Sequence, residues 1–315
     1  MRRITVVFVP LLLAALALTA CGSSSPSSPS NANAAVTATG TFGHDPTVTI
    51  PKAKASSKLF VNAVIKGTGP VMAKTDALVG NYAVYIWSGT GHKLATSTFK
   101  TAPQLFAGQL LPGLESALIG QKVGSRVLAV IPPKEGYGSA GNSQGGVKPT
   151  DTLVFVIDMI KTFAGNASAS GQSLSSGGGS LPTVSAATGT LPKITMPHQN
   201  PPAKLITKTL IQGTGPMVSK GQYIVVQYVG AIWRNSKVFD SSWSRNQPFG
   251  FLLDSQPAQV ITGWNLGLLG QRVGSRVMLV IPPSDGYGKT GSTQAGIKGT
   301  DTLVFVVDVL GAFGV

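Results

Sequence analysis

An internal repeat constrains this 315-residue chain more than any other feature of its sequence. The string GQKVGSRV beginning at Gly120 recurs with one substitution as GQRVGSRV beginning at Gly270, a period of 150 residues. The string TDTLVFV beginning at Thr150 recurs at Thr300 with the same period. Solenoid units repeat every 20 to 50 residues or so, whereas roughly 100 to 200 residues make a domain. The repeat therefore predicts two domains of the same fold.

Two segments of low complexity set the predicted boundaries of these domains. Residues 21–39 are rich in Ser, Pro, Asn and Ala, and residues 164–183 contain the string SSGGGS. Such compositions bury too little apolar surface to offset the chain entropy lost on folding. We therefore predict a flexible tether over 21–39 and a flexible linker over 164–183. Domain 1 would cover 40–163 and domain 2 would cover 184–315, and the two would move independently.

The apolar pattern within each copy is mainly that of β-strands. Runs of β-branched and aromatic residues cover 153–157, 223–228, 276–281 and 303–307. One short helix is expected in each copy. In domain 1 it would begin at Pro112 and end at Gly120, and in domain 2 Thr262 would cap a helix that begins at Gly263 and ends at Gly270. The predicted fold class is α+β, with each domain an antiparallel sheet wrapped around a short α-helix.

The N-terminus is typical of a secretion signal. Arg2 and Arg3 precede an apolar run over residues 4–20, which is shorter than the roughly 20 residues that span a bilayer. The string LTAC ending at Cys21 resembles the lipobox of bacterial lipoproteins, in which the cysteine is acylated. Residues 1–20 are thus predicted to be a signal peptide, with an uncleaved anchor and a free thiol as alternatives. A disulfide within the molecule is excluded because Cys21 is the only cysteine.

The charge and the histidines limit the classes of partner. A formal net charge of +14 predicts attraction to anionic surfaces such as lipid headgroups or cell-wall polymers. The basic residues are scattered and no DNA- or RNA-binding module is recognisable, so nucleic acid is not an expected partner. His44, His92 and His198 lie far apart without the spacing of metal ligands, so no metal is expected. A serine nucleophile is not expected, because no partner base is recognisable.

Domain 2 contains a series of short strings whose order is informative. They are VQYVG from Val226, FDSS from Phe239, PFGF from Pro248, VITGW from Val260, GYG from Gly286, GI from Gly296 and TLVF from Thr302. In order and spacing they resemble the FKBP family of peptidyl-prolyl cis-trans isomerases over nearly all of residues 205–310. The resemblance implies an enzyme that rotates X-Pro peptide bonds and needs no cofactor. Proline-containing polypeptides and macrolide ligands of the FKBP type are the expected partners.

The resemblance also implies a pocket for the proline ring. Its walls would be Tyr228, Phe239, Phe249, Val260, Trp264, Ile297 and Phe305. The backbone N–H of Ile261 and the hydroxyl of Tyr287 would bind substrate carbonyl groups, and Asp240 would face the twisting amide. These three are the predicted catalytic residues. Core packing would also explain Trp264 and Phe305, and a turn cap would also explain Asp240.

Domain 1 departs from this pattern where the pocket would lie. In place of Tyr228, Trp264, Tyr287, Ile297 and Phe305 it has Tyr82, Leu114, Tyr137, Val147 and Phe155. The Phe239 and Asp240 pair falls within residues 94–96, and Phe249 falls near Gln104. We therefore predict an eroded pocket in domain 1, with isomerase activity at least tenfold below that of domain 2.

Two functions of different classes follow from this sequence. The first is a monomeric, lipid-anchored isomerase at the extracytoplasmic face of the cell membrane, which assists the folding of exported proteins. Uncatalysed X-Pro rotation takes tens of seconds, slow enough to limit folding. The alternative is a chaperone or cell-envelope binding protein that uses the FKBP pocket without turnover. The intact set of pocket residues in domain 2 favours the isomerase.

Overall fold

The computed structural model describes residues 32–314. The predicted signal peptide, Cys21 and the first part of the tether lie outside the described residues. Within residues 32–314, no helix is both long enough and apolar enough to cross a bilayer.

Domain 1 is built mainly of β-strands, with one short α-helix. The strands are β1 (Thr37–Thr39), β2 (Thr47–Thr49), β3 (Phe60–Ile65), β4 (Ala77–Ser88), β5 (Gly91–Ser97), β6 (Gln104–Phe106), β7 (Arg126–Ile131) and β8 (Thr152–Phe163), and the helix is α1 (Pro112–Leu118). The main sheet has the order β3-β7-β8-β4-β5, with β6 also paired to β4. Every pairing in it is antiparallel.

Domain 2 repeats this arrangement with an extra edge strand. Its elements are β9 (Gly171–Ser173), β10 (Thr183–Ser185), β11 (Lys193–Thr195), β12 (Ile206–Gly213), β13 (Tyr223–Ile232), β14 (Val238–Ser241), β15 (Phe249–Leu252), α2 (Thr262–Leu268), β16 (Arg276–Ile281) and β17 (Leu303–Phe313). The sheet order is β14-β13-β17-β16-β12-β9, and β15 pairs with β13. The predicted α+β class, with an antiparallel sheet and one short helix in each domain, is confirmed.

Each sheet buries apolar side chains on both faces. On one face the helix packs over a core that includes Leu114 in domain 1 and Trp264 in domain 2. On the other face, a second core forms around Trp87 in domain 1 and around Trp233 in domain 2. This core also contains residues from the two-stranded hairpins β1–β2 and β10–β11. An N-terminal hairpin is therefore part of each copy.

The hairpin of domain 1 corrects the predicted tether. Residues 32–39 were expected to be flexible, but Val36 and Ala38 are each only 3% exposed and belong to the second core. Asn33 is fully buried, and its side-chain amide donates to the backbone oxygen of Lys58 at 2.7 Å. The composition of this segment is polar, yet a few small apolar residues suffice to cover the sheet. The folded part of domain 1 thus includes residues 32–39.

The predicted flexible linker over 164–183 is wrong in the same way. Strand β9 pairs with β12, the first long strand of domain 2. The backbone N–H of Ala169 donates to Asp308 on β17 at 2.8 Å. Residues 164–173, which we call the junction, are therefore built into domain 2. Strand pairing uses backbone groups that every non-proline residue has, so a Gly- and Ser-rich segment is able to join an open sheet edge.

The two domains also share a core, which contradicts independent movement. Val79 and Phe163 from domain 1 pack with Tyr223, Val225 and Leu310 from domain 2. The backbone N–H of Leu105 donates to the hydroxyl of Tyr223 at 3.2 Å. Residues 32–314 form one compact unit.

Candidate active site

A pocket of about 330 Å³ lies in domain 2 where the sequence predicted it. It is lined by Tyr228, Phe239, Asp240, Phe249, Ala258, Gln259, Val260, Ile261, Trp264, Tyr287 and Phe305. All of the site residues predicted in domain 2 are therefore brought to this pocket except Ile297. That side chain is 4% exposed and packs in the core with the pocket aromatics. Ala258 and Gln259, which the sequence analysis did not include, add to the lining.

Trp264 is the centre of the aromatic lining. Its ring centroid lies 5.1 Å from that of Tyr228 and 5.2 Å from that of Phe305, with interplanar angles of 82° and 88°. Phe251 packs on it from below the pocket at 5.5 Å. Edge-to-face contacts of this kind add stability beyond the buried area and restrict ring rotation. The result is a fixed apolar surface formed by aromatic rings.

One side of the pocket is polar and centred on Asp240. The Tyr228 hydroxyl donates a short hydrogen bond to one carboxylate oxygen of Asp240. Arg245 donates from Nη1 to the other oxygen at 2.5 Å and from Nη2 to the Tyr228 hydroxyl at 3.0 Å. The backbone N–H of Ser241 adds a bond of 2.8 Å. The carboxylate is thus held in one orientation by three donors.

These contacts set the ionisation of the polar wall. Burial alone would raise the pKa of Asp240, but the hydrogen bonds from Tyr228 and Arg245, with the charge of Arg245, lower the pKa below its usual value. Burial, and then the hydrogen bond to Asp240, raise the pKa of Tyr228 to about 12. At neutral pH the wall therefore consists of an ionised carboxylate and a neutral phenol.

Two further polar groups lie at the mouth of the pocket. Ile261 directly precedes α2 in an extended conformation (φ −64°, ψ 152°), so its N–H lies outside the hydrogen bonding of the helix. The Tyr287 side chain is 40% exposed. Burial and then the nearby charge of Asp240 raise the pKa of Tyr287, which keeps its hydroxyl protonated. Both groups are hydrogen-bond donors at neutral pH.

Arg245 is the functional residue that the sequence analysis missed. It follows Asp240 by five residues and is the only charged residue in the segment 241–248, between two predicted pocket positions. Its position as the lone charged residue of this segment could have pointed to it, because a single cation beside a pocket carboxylate is a natural ion-pair partner.

Within residues 32–314, no group of three or more His, Cys, Asp or Glu side chains is arranged to hold a metal ion.

The strand register shows which residues of domain 1 replace the polar and aromatic walls. Asp240 pairs with Gly230 in domain 2, and at the matching point of domain 1 Thr96 pairs with Val84. The strand register thus agrees with the alignment of the two copies by sequence, in which domain 1 has no carboxylate at the position of Asp240. Phe249 pairs with Val226 in the same way that Gln104 pairs with Gly80. An amide thus replaces one ring of the pocket.

The two domains also differ at the position of Gly230, which is a valine in domain 1. A Cβ at Gly230 would lie 2.6 Å from Phe305 and 2.8 Å from Phe239, closer than real atoms approach. The absence of a side chain therefore makes room for the two rings. In domain 1 the matching residue is Val84, and alanine at position 95 takes the place of Phe239. A valine fills the volume that an aromatic wall occupies in domain 2.

The other predicted remnants in domain 1 are mostly core residues. Leu114, Val147 and Phe155 are each less than 10% exposed and pack in one cluster. Tyr82 is half-buried and its ring meets that of Phe106 edge-on at 5.3 Å. Tyr137 is 38% exposed at a position matching Tyr287. The fold of the copy is retained while its pocket walls are replaced.

Comparison with known protein families finds one match in each copy. Residues 69–160 and 215–310 each match the family model of the FKBP-type peptidyl-prolyl cis-trans isomerases. The chain therefore belongs to this family of enzymes and carries the family domain twice.

Similar proteins include bacterial members of the family. A FK506-binding protein of Streptomyces anulatus is 39% identical over 119 residues, which is 38% of this chain and 94% of that protein. A probable FK506-binding protein of Corynebacterium glutamicum is 37% identical over 121 residues, or 38% of this chain and 98% of that protein. Among solved structures, FkpA from Escherichia coli is 36% identical, covers 35% of this chain and 48% of that chain, and has a TM-score of 0.32.

Proposed function

We propose that domain 2 supplies most of the isomerase activity of this chain and that domain 1 supplies little. The observation that carries the proposal is the pocket of domain 2, in which an aromatic floor and an ionised polar wall meet. In domain 1 the acid, two aromatic walls and the tryptophan have no like counterpart. Substrates are proline-containing segments of polypeptide chains, bound with the proline ring over Trp264.

The reaction needs no covalent step. The barrier to rotation about a peptide bond is about 20 kcal/mol because rotation breaks amide resonance. As resonance is lost, charge on the carbonyl oxygen falls and the twisted amide becomes less dependent on water. A dry apolar pocket therefore favours the transition state over the planar ground state. Lowering the barrier by about 7 kcal/mol would accelerate rotation about 10⁵-fold.

The polar groups orient the substrate during this rotation. The N–H of Ile261 and the hydroxyl of Tyr287 donate to backbone carbonyl groups on either side of the proline, which holds the chain while one amide turns. The carboxylate of Asp240, fixed by Tyr228 and Arg245, faces the turning group as a negative charge held in one place. Preorganised groups of this kind cost no reorganisation during the reaction.

Matched truncations in the full chain test the division of labour. Trp264→Ala is expected to lower kcat/KM at least tenfold, because it removes the floor that several rings pack against. Leu114→Ala removes the counterpart in domain 1 and should leave kcat/KM within twofold. Isomerisation of a short proline peptide gives the rates, and circular dichroism confirms folding. Equal losses in the two variants would contradict the proposal, and peptide binding without turnover in the wild type would favour the chaperone alternative.

Macrolide binding is a second expectation for the same pocket. The relatives from Streptomyces and Corynebacterium are named as FK506-binding proteins. We propose that FK506 occupies the pocket of domain 2 and inhibits isomerisation in competition with the peptide.

We also propose that Cys21 carries a lipid anchor that holds the two domains at the extracytoplasmic face of the membrane. The apolar run, the LTAC string and the Ser-rich segment after it support this, as does the net charge of +14 beside anionic headgroups. Replacing Cys21→Ser should move most of the protein from the membrane to the soluble fraction and abolish acyl mass on the mature N-terminus. Equal membrane retention of the variant would refute the anchor.

A further inference from the structure

Gln227 connects the junction to the active-site loop through buried hydrogen bonds. Its side chain is fully buried, and Nε2 donates to the backbone oxygen of Gly165 at 2.6 Å. Its oxygen accepts a short hydrogen bond from the hydroxyl of Ser242, which is also fully buried. Ser242 in turn accepts the backbone N–H of Tyr228 at 2.7 Å. One amide side chain thus links the junction to the first residue of the segment 242–248.

That segment, which we call the arginine loop, carries Arg245 and is held on two sides, by the junction and by domain 1. A Cβ at Gly165 would overlap the backbone oxygen of Asn246, so the junction and the loop lie in backbone contact. A Cβ at Gly108 in domain 1 would lie 3.1 Å from the side-chain oxygen of Gln247. The arginine loop is therefore enclosed by the junction on one side and by domain 1 on the other.

Domain 1 contains the same link without the extension to the junction. There the hydroxyl of Thr98 donates to Asn81 at 3.3 Å and accepts the N–H of Tyr82 at 2.9 Å. Asn81 occupies the position of Gln227 and is one methylene shorter. The shorter amide is sufficient to build the fold. The longer side chain in domain 2 is what reaches Gly165.

We propose that the junction is a positioning element of the active site, in which Gly165 and Gln227 fix the arginine loop so that Arg245 holds Asp240 and Tyr228 in place. This inference rests on the proposed function, because it assumes that isomerase activity resides in domain 2. Neither Gln227 nor Gly165 lines the pocket. Their hydrogen bonds lead to Ser242 and from there to Tyr228, so they act through other residues. The isomerase activity of domain 2 then depends on the segment that joins it to domain 1.

Two variants of the full chain test this from opposite ends. Gln227→Asn introduces the residue found in domain 1, keeps the contact with Ser242 and withdraws from Gly165. Gly165→Ala places a methyl group against Asn246 and displaces the arginine loop from the junction side. Each should lower kcat/KM for a proline peptide about three- to tenfold, the effect of one lost hydrogen bond. The control is Gly91→Ala, on an exposed hairpin where the nearest atom to the new Cβ is the Ser88 oxygen at 3.9 Å; it should leave the rate unchanged.

The pH profile separates positioning from simple loss of folded protein. Asp240 is faced by Tyr228 from β13, by Arg245 from the arginine loop and by Tyr287 from the loop after β16. When Arg245 moves away, the effect of burial remains and raises the pKa of Asp240. The acid limb of kcat/KM should therefore shift to higher pH in both variants and not in the control. A variant that is only less stable would have a lower kcat/KM at every pH, with the acid limb at the same pH as in the wild type.

The outcomes distinguish this inference from the proposed function. A wild-type chain without isomerase activity, or with activity that survives Trp264→Ala, would remove the proposed function and this inference with it. An active wild type together with unchanged rates and acid limbs in both variants would overturn the positioning role alone. Should Gln227→Asn fail to fold by circular dichroism, Gly165→Ala decides the question, since its methyl group lies in the junction and outside the sheet of domain 2.

Discussion

Gly230→Val is expected to lower kcat/KM for proline isomerisation about 100-fold in the full chain. The new side chain would occupy the space of the Phe239 and Phe305 rings, which lie within 3 Å of its Cβ position. Both rings would have to move, although Phe305 packs edge-on against Trp264 and Phe239 packs edge-on against Phe305. Each displaced wall removes about 1 to 2 kcal/mol of apolar contact with the transition state, and about 1.4 kcal/mol corresponds to a factor of ten.

The effect on activity should exceed the effect on folding, because the chain already has a valine at this point of its other copy. Val84 occupies the matching position on β4 without disturbing the sheet of domain 1. Val84→Gly is the reverse exchange and should leave isomerisation within twofold. Rates with a proline peptide and FK506 affinity should fall together in Gly230→Val. Retention of more than a third of the wild-type rate in a folded variant would show that the rings do not form the pocket walls.

The fold was predictable because the sequence repeats its own strand pattern. The β-branched runs around Phe155 and Phe305 mark the central strands, and Pro112 and Gly270 mark the ends of the two helices. The residues implied by the family resemblance also lie together, because each string places one or two pocket residues at a fixed point of the fold. Ile297 shows the limit of this reasoning, since a position in the right string still packs behind the pocket.

The features that were not predicted depend on contacts between distant segments. Strand β9 and the hairpin β1–β2 form through backbone hydrogen bonds, which composition does not reveal. Arg245 acquires its role only because its loop folds back onto Asp240. The exchange of Gly230 and Val84 becomes interpretable only when the rings that fill the space are known. In each case the residue is visible in the sequence, but the distant residue that it contacts cannot be identified from the sequence.

The second large effect concerns stability and a buried ion pair. Arg276 on β16 bonds to Asp308 on β17 through Nε–Oδ1 at 2.6 Å and Nη2–Oδ2 at 2.7 Å, with side chains 7% and 1% exposed. Arg276→Met should lower the free energy of unfolding by about 3 to 5 kcal/mol, because it leaves a buried carboxylate without its countercharge. Urea denaturation followed by circular dichroism measures the loss. The control is Lys220→Met, which breaks an ion pair with Asp254 whose lysine is 70% exposed and should cost less than about 1 kcal/mol.

The double variant Arg276→Met with Asp308→Leu distinguishes two contributions to stability, that of the buried ion pair and that of the hydrogen bond from the junction. Removing both charges should recover much of the lost stability, since a buried ion pair replaced by apolar residues is often close to neutral. Recovery should be incomplete, because the N–H of Ala169 in the junction loses its acceptor at Asp308, at a cost of about 1 to 3 kcal/mol. In domain 1, Arg126 and Asp158 form the matching buried ion pair at 2.6 Å, and the N–H of Gly43 bonds to Asp158 in the same way. Each copy therefore closes its buried ion pair with a segment that precedes its sheet. Full recovery in the double variant would show that the junction is not held by this bond.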